Sequence, residues 1–209
     1  MATRATTGDT TRVTTGDTMS DDIGLMPQNK TVRTIVVSGV LAAIQIVLGI
    51  TGLGLIPTPT GVNATILHIP AILAGVVGGP IAGIATGGIF GLFSFLRATT
   101  PLFQNPLIAF GPRLLIGLVA FLVYRALKPV NEVLALAAAG AAGTLTNTAG
   151  VLGLAVLLPS PAGPPYLAPN VAWGIVLTNA LPEVIVAMII TVAVGLAIRG
   201  AGRMRRSTV

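Results

Sequence analysis

From residue 30 onward the chain reads as a series of long apolar runs separated by short polar or proline-rich breaks. Unbroken runs without strand-like alternation predict helices, and about 20 residues carry a helix across the ~30 Å hydrocarbon core of a bilayer. Six segments are predicted, over 31–56, 65–79, 80–96, 106–127, 130–158 and 171–198. The second and third are short and form a tight pair, broken at Gly78-Gly79-Pro80. The expected fold is all-α: an integral membrane domain over residues 30–209 with six transmembrane helices.

Residues 1–29 have no such pattern. TRATTGDT at 3–10 is followed by TRVTTGDT at 11–18, a direct repeat with one change. Its Thr/Gly/Asp composition cannot bury a core, which predicts a disordered polar tail. It lacks the apolar stretch of a signal peptide, and a start at Met19 or Met26 would leave it without function.

Composition supports the membrane reading. The chain is 53% hydrophobic and 9% charged, against about 25% charged in an average soluble domain. Gly is abundant (26) and aromatics are 4%, which suits close helix packing in lipid and not a barrel with aromatic girdles. Gly83, Gly87 and Gly91 recur at four-residue spacing, as do Gly75 and Gly79, and predict close internal packing. The first segment carries two pairs of small residues at the same spacing, Ser38/Ala42 and Gly39/Ala43, and is the best candidate for docking a partner helix.

The net charge of +6 does not indicate nucleic acid, because the basic residues flank apolar segments and no aromatic-interleaved cationic face appears. With the N-terminus inside, Lys30, Arg33, Arg125, Lys128, Arg199, Arg203, Arg205 and Arg206 lie on the cytoplasmic side and Arg97 alone on the other. That asymmetry predicts a multi-pass protein with both termini in the cytoplasm. The outer connections 57–64, 97–105 and 159–170 are then long and rich in Pro, whereas the inner ones are minimal. Recognition is expected on the elaborated side.

The chemistry available is limited. There is no Cys and one His, so disulfides, thiolate catalysis and a multi-His metal site within one chain are excluded. The only lysines are Lys30 and Lys128 and no GxxxxGK[ST] loop exists, so the chain does not hydrolyse ATP by that route. No nucleophile–base pair stands out, and neither an enzyme nor a cofactor is expected.

Two ionisable residues lie inside predicted spans, Arg113 and Glu183. Burying either in hydrocarbon costs several kcal/mol, so each should face the bundle interior or a water-filled cavity. Asn179 and Glu183 share a helix face beside Pro182, and Gly111-Pro112 precedes Arg113. These groups form either a ligand or proton site or an Arg–Glu pair that locks two helices. Nearer the outer surface, Asn63, Thr65, His68, Arg97, Gln104, Asn105, Tyr166, Asn170 and Trp173 are expected to converge on one outward pocket, although each taken singly also reads as an interfacial residue.

GVNATILHIPAILAGVVGGPIAGIATGGIFGLFSFL at 61–96, NPLIAFGPRLLIGLVAFLVYRAL at 105–127 and TNALPEVIVAMIIT at 178–191 resemble helices of the substrate-binding S components of energy-coupling factor (ECF) vitamin transporters. The resemblance covers essentially everything from residue 30. It implies a six-helix subunit that captures a vitamin from outside and works with a transmembrane T component and two cytoplasmic ATPases. The family's first helix docks the T component through an AxxxA surface, whose positions here read Ser38/Ala42 or Gly39/Ala43. The HIP and GPR segments look most like the pantothenate-type branch, in which Arg113 or Arg97 would pair with a carboxylate, with cobalamin or another micronutrient behind it. Asn63, His68, Arg97, Asn105, Arg113, Trp173, Asn179 and Glu183 are the substrate-binding candidates. The competing reading is a stand-alone proton-coupled carrier using Glu183, and a third is a purely structural membrane subunit.

Overall fold

The computed structural model describes residues 30–56, 64–98 and 100–207. Helix α1 (Lys30–Thr51) stops at Gly52, whose φ of +75° is a left-handed conformation that glycine adopts freely at helix ends. The first segment is therefore shorter than the 31–56 run. Leu55–Ile56 (β1) instead pairs antiparallel with Ala64–Thr65 (β2), a small departure from the expected all-α fold.

Helix α2 (Ile69–Leu73) opens on a proline in its first turn and widens into a π-helical turn over Ala74–Gly78. Gly79, at φ +94°, then breaks the chain before α3 (Pro80–Leu96), where the Gly-Gly-Pro run predicts a break. After the short α4 (Pro101–Gln104), Asn105 caps α5 (Pro106–Leu127), its side chain accepting the Leu107 N–H at 3.0 Å with Pro106 in the first turn. Asn131 does the same for α6 (Glu132–Leu157) through the Leu134 N–H. The sixth segment is one continuous helical unit: α7 (Pro169–Ile175), a π turn over Val176–Ala180, and α8 (Leu181–Ser207).

Among the described residues, four helical stretches are long and apolar enough to cross a membrane: Thr34–Thr51, Pro106–Leu127, Glu132–Leu157 and Pro169–Ile198, with mean hydropathies of 2.2, 2.1, 1.3 and 2.4. Ile69–Gly78 and Pro80–Leu96 are apolar but shorter. Helix α5 is central, packed on α3 and α6, while α8 leans on α6 and α1 on α3. Burial follows this order: 44% of the α5 stretch is buried against 17% of the α1 stretch.

Glycines set the α3–α5 spacing. A Cβ at Gly83 would sit 2.8 Å from the Gly117 backbone, and one at Gly87 would run into the Arg113 carbonyl oxygen. The two helices therefore approach until backbone meets backbone, as small residues allow in lipid. The exterior is apolar too, with Leu177, Leu181 and Ile189 exposed on the α8 side and Val36, Val40 and Val47 on α1. A bilayer solvates such a surface at no cost, whereas water would not.

Candidate functional site

Arg113 shows how the local sequence builds the site. Pro112 has no N–H to donate one turn back, so the Ile108 carbonyl loses its helical partner. The Arg113 Nη1 donates to that same carbonyl, which curls the side chain along its own helix. Its guanidinium lies 5.4 Å from the ring centre of Phe90 on α3 and 4.9 Å from that of Phe103 on α4. Arg113 is only 3% exposed, its Nε has no partner, and among the described residues no carboxylate pairs with it. A buried cation held only by a carbonyl and two ring faces is left short of the counter-charge that buried charges normally take.

Across a cavity of about 770 Å³ stands Glu183. Its carboxylate accepts the Thr65 N–H at 2.6 Å, and the Thr148 hydroxyl also approaches it. Neither Arg113 nor Glu183 takes the other as partner, so the helix-locking ion pair that the sequence left open does not form. Asn179 lies one turn before Glu183 on the same wall, at the end of the π turn that precedes Pro182. Such wide turns recur where a helix must aim side chains into a site.

The remaining polar wall comes from α6, where Asn147 and Thr148 face the cavity. Asn147 is buried and its Oδ1 has no partner. The segments 100–105 and 159–167 roof the space, bringing Phe103, Gln104 and Tyr166 to its edge. Its size lies within the roughly 300–1,000 Å³ range of small-molecule sites. The combination of one cation, one carboxylate, uncharged amides and apolar walls can hold a small molecule that carries an anionic group and several hydrogen-bonding groups.

Of the sequence-predicted candidates, Arg113, Asn179 and Glu183 line this cavity, as do Thr65, Gln104 and Tyr166. Asn105 sits behind it, capping α5, with its Nδ2 at 3.5 Å from the Tyr166 hydroxyl. His68 does not reach the cavity. It is fully buried with Nε2 at 2.9 Å from the Thr144 hydroxyl, which itself donates to the Gly140 carbonyl. That order requires Nε2 to carry the proton. Arg97 is exposed and lies over the Phe93 ring, and Trp173 is exposed on the outer face of α7, so neither joins the others. Asn63 lies outside the described residues.

Sequence reasoning missed Phe90, Phe103, Asn147 and Thr148. Asn147 and Thr148 carry no charge that would mark them inside a span, although Asn147 is the only Asn in the apolar α6 run. Although aromatics are only 4% of the chain, Phe90, Phe103 and Tyr166 all reach the cavity. Two of those rings are engaged by Arg113. Among the described residues no group of three or more His, Asp or Glu could hold a metal ion.

The docking candidates on α1 divide by face. Ser38 and Ala42 are buried against the bundle, while Gly39 and Ala43 are exposed on the outer stripe.

The family model described as ECF transporter, substrate-specific component, matches residues 33–195. The chain is 34% identical to the pantothenic acid transporter PanT of Lactococcus lactis subsp. cremoris, over 65% of this chain and 78% of that protein. It is 31% identical to the pantothenate transporter PanT of Leuconostoc mesenteroides subsp. mesenteroides, over 81% of this chain and 93% of that protein.

Proposed function

Because the chain belongs to the family of substrate-specific components of ECF transporters, we propose that it is the vitamin-capturing membrane subunit of an ATP-driven importer and that its vitamin is pantothenate. The observation that carries the reading is the unpaired, buried guanidinium of Arg113 facing a cavity of about 770 Å³. Pantothenate presents one carboxylate, one amide and two hydroxyls. Its carboxylate supplies the counter-charge that Arg113 lacks, as a charge-assisted hydrogen bond. A hydroxyl or amide N–H meets the orphaned Asn147 Oδ1, and the Glu183 carboxylate accepts a further hydroxyl, with Asn179 beside it. The names of the two relatives favour the same ligand.

Membership of the family supports a reading of the rest of the assembly. Six helices cross the plasma membrane, with both termini in the cytoplasm and the 100–105 and 159–167 segments outside. Residues 1–29 form a separate polar tail. A transmembrane T component docks on α1 through the outward Gly39/Ala43 pair, where a Cβ added at Gly39 meets nothing within 4 Å. Two cytoplasmic ATPase subunits supply the energy.

Proteoliposomes test the division of labour. The chain alone should bind pantothenate without accumulating it, and uptake should appear only with the T component, the ATPases and ATP. Accumulation by the chain alone, driven by a proton gradient and abolished in Glu183→Gln, would instead establish a stand-alone carrier.

A further inference from the structure

Helix α1 buries an amide that the cavity does not use. Gln45 is 0% exposed and lies outside the cavity lining, and its Nε2 donates to the Leu67 carbonyl at 2.5 Å, 22 positions away. We infer that Gln45 is a positioning residue for the ligand site: by holding Leu67 it keeps the Thr65 N–H aimed at the Glu183 carboxylate. The inference rests on the reading of that cavity as the ligand site.

Local sequence leaves the Leu67 carbonyl open to α1. The chain turns into α2 just beyond it, and Pro70 has no N–H to close a turn back onto it. Ile69 donates to the Ile66 carbonyl, and Ala71 and Ile72 both donate to that of His68, so these backbone donors pass Leu67 over. A bare acceptor in the core is costly, and the Gln45 amide covers this one.

The next three bonds carry the constraint to the cavity. The Leu67 N–H folds back onto the Thr65 hydroxyl oxygen at 3.1 Å. The Ile66 N–H donates to the Gly54 carbonyl at 2.9 Å, just beyond the end of α1. The Thr65 N–H donates to Glu183 on α8 at 2.6 Å. With these N–H groups committed, the direction of the Thr65 N–H follows from the placement of the whole 65–67 segment, whose far end Gln45 pins to α1. A carboxylate in an apolar bundle is oriented by its donors, and a backbone N–H fixed in this way gives it one direction.

Stability and positioning separate at this residue. Gln45→Met removes the Oε1, which has no partner, but bares the Leu67 carbonyl. One unsatisfied buried acceptor replaces another, so thermal stability should change little while the site loosens.

The test uses the isotope-labelled full chain in detergent, with amide exchange read residue by residue. In Gln45→Met the Thr65 and Leu67 amides should exchange about tenfold faster or more, while the Ile72 amide in α2 keeps its protection. Calorimetry should show pantothenate binding weakened about three- to tenfold, the usual worth of one hydrogen bond. In a Glu183→Ala background the same change should cost no further affinity, because the group it positions is gone. Gln45→Leu is the second variant should Gln45→Met not fold. Unchanged exchange at Thr65, or protection lost equally at Ile72, overturns the inference. So does an unchanged affinity, or a loss as large without Glu183 as with it. A wild type that does not bind pantothenate sinks the functional reading instead, and the exchange rates still decide whether Gln45 holds Thr65.

Discussion

Replacing Gly83 by Ala puts one methyl group where α3 crosses α5. Its Cβ would lie 2.8 Å from both the Gly117 Cα and carbonyl carbon and 2.9 Å from the Gly75 Cα. Optimal carbon–carbon contact is about 3.5–4.0 Å, so the helices must part by roughly 0.7 Å or more. All three neighbours are backbone, so no side chain can turn aside. Overpacking of this kind costs about 1–3 kcal/mol. For a chain of this size that corresponds to a fall in melting temperature of roughly 2–12 °C. Gly88→Ala on the same helix is the control: its Cβ meets only the Leu114 Cδ2, at 3.5 Å, an ordinary contact. It should hold or gain stability, since Ala is favoured over Gly in helices by about 1 kcal/mol. Fluorescence-monitored thermal unfolding in detergent compares the two. A Gly83→Ala variant as stable as wild type, or a Gly88→Ala variant that loses as much, would refute the backbone-on-backbone account of this crossing.

Three further outcomes follow. Asn147→Leu removes the unpartnered Oδ1 from the cavity and should weaken pantothenate binding by about 1 kcal/mol or more, fivefold or greater in Kd, with thermal stability unchanged or higher. Pro112→Ala returns a helical N–H to the Ile108 carbonyl in competition with Arg113, so the protein should be at least as stable while ligand affinity falls, which calorimetry and thermal unfolding measure separately. In a thermal-shift screen of vitamins, the specific ligand at a hundredfold excess over its Kd should stabilise the fold by about 2.7 kcal/mol, and the others should leave it unmoved.

The helices were legible because hydropathy and helix-end chemistry agree. Pro106 after Asn105 and the Gly78-Gly79-Pro80 break mark boundaries that the structure reproduces. The glycine spacing on α3 also read correctly as close packing, since a residue without a side chain matters only where something else comes near. The first helix was overextended because hydropathy continues past Gly52, while the left-handed turn there depends on backbone conformation.

The site was only half legible. Charge inside a span is costly enough to announce itself, so Arg113 and Glu183 stood out. What they face depends on which helices become neighbours, and no spacing along the chain gives that. The sequence therefore left a locking ion pair open, whereas Arg113 turns to its own helix and two phenylalanine rings. A lone histidine next to an outer loop reads as a ligand group until its neighbour Thr144, 76 positions away, is seen to hold it in the core.

Arg113 is the proposed counter-charge of the ligand. Titration calorimetry of the purified chain with pantothenate, and with panthenol, in which an alcohol replaces the carboxylate, isolates that contact. Pantothenate should bind the wild type saturably and far more tightly than panthenol. In Arg113→Met, loss of one partner of a buried charge pair costs about 2–5 kcal/mol, a rise in Kd of roughly thirtyfold to several thousandfold, and the preference for the carboxylate should vanish. Equal affinity of the wild type for both compounds, or undiminished pantothenate binding in the folded Arg113→Met protein, would contradict it.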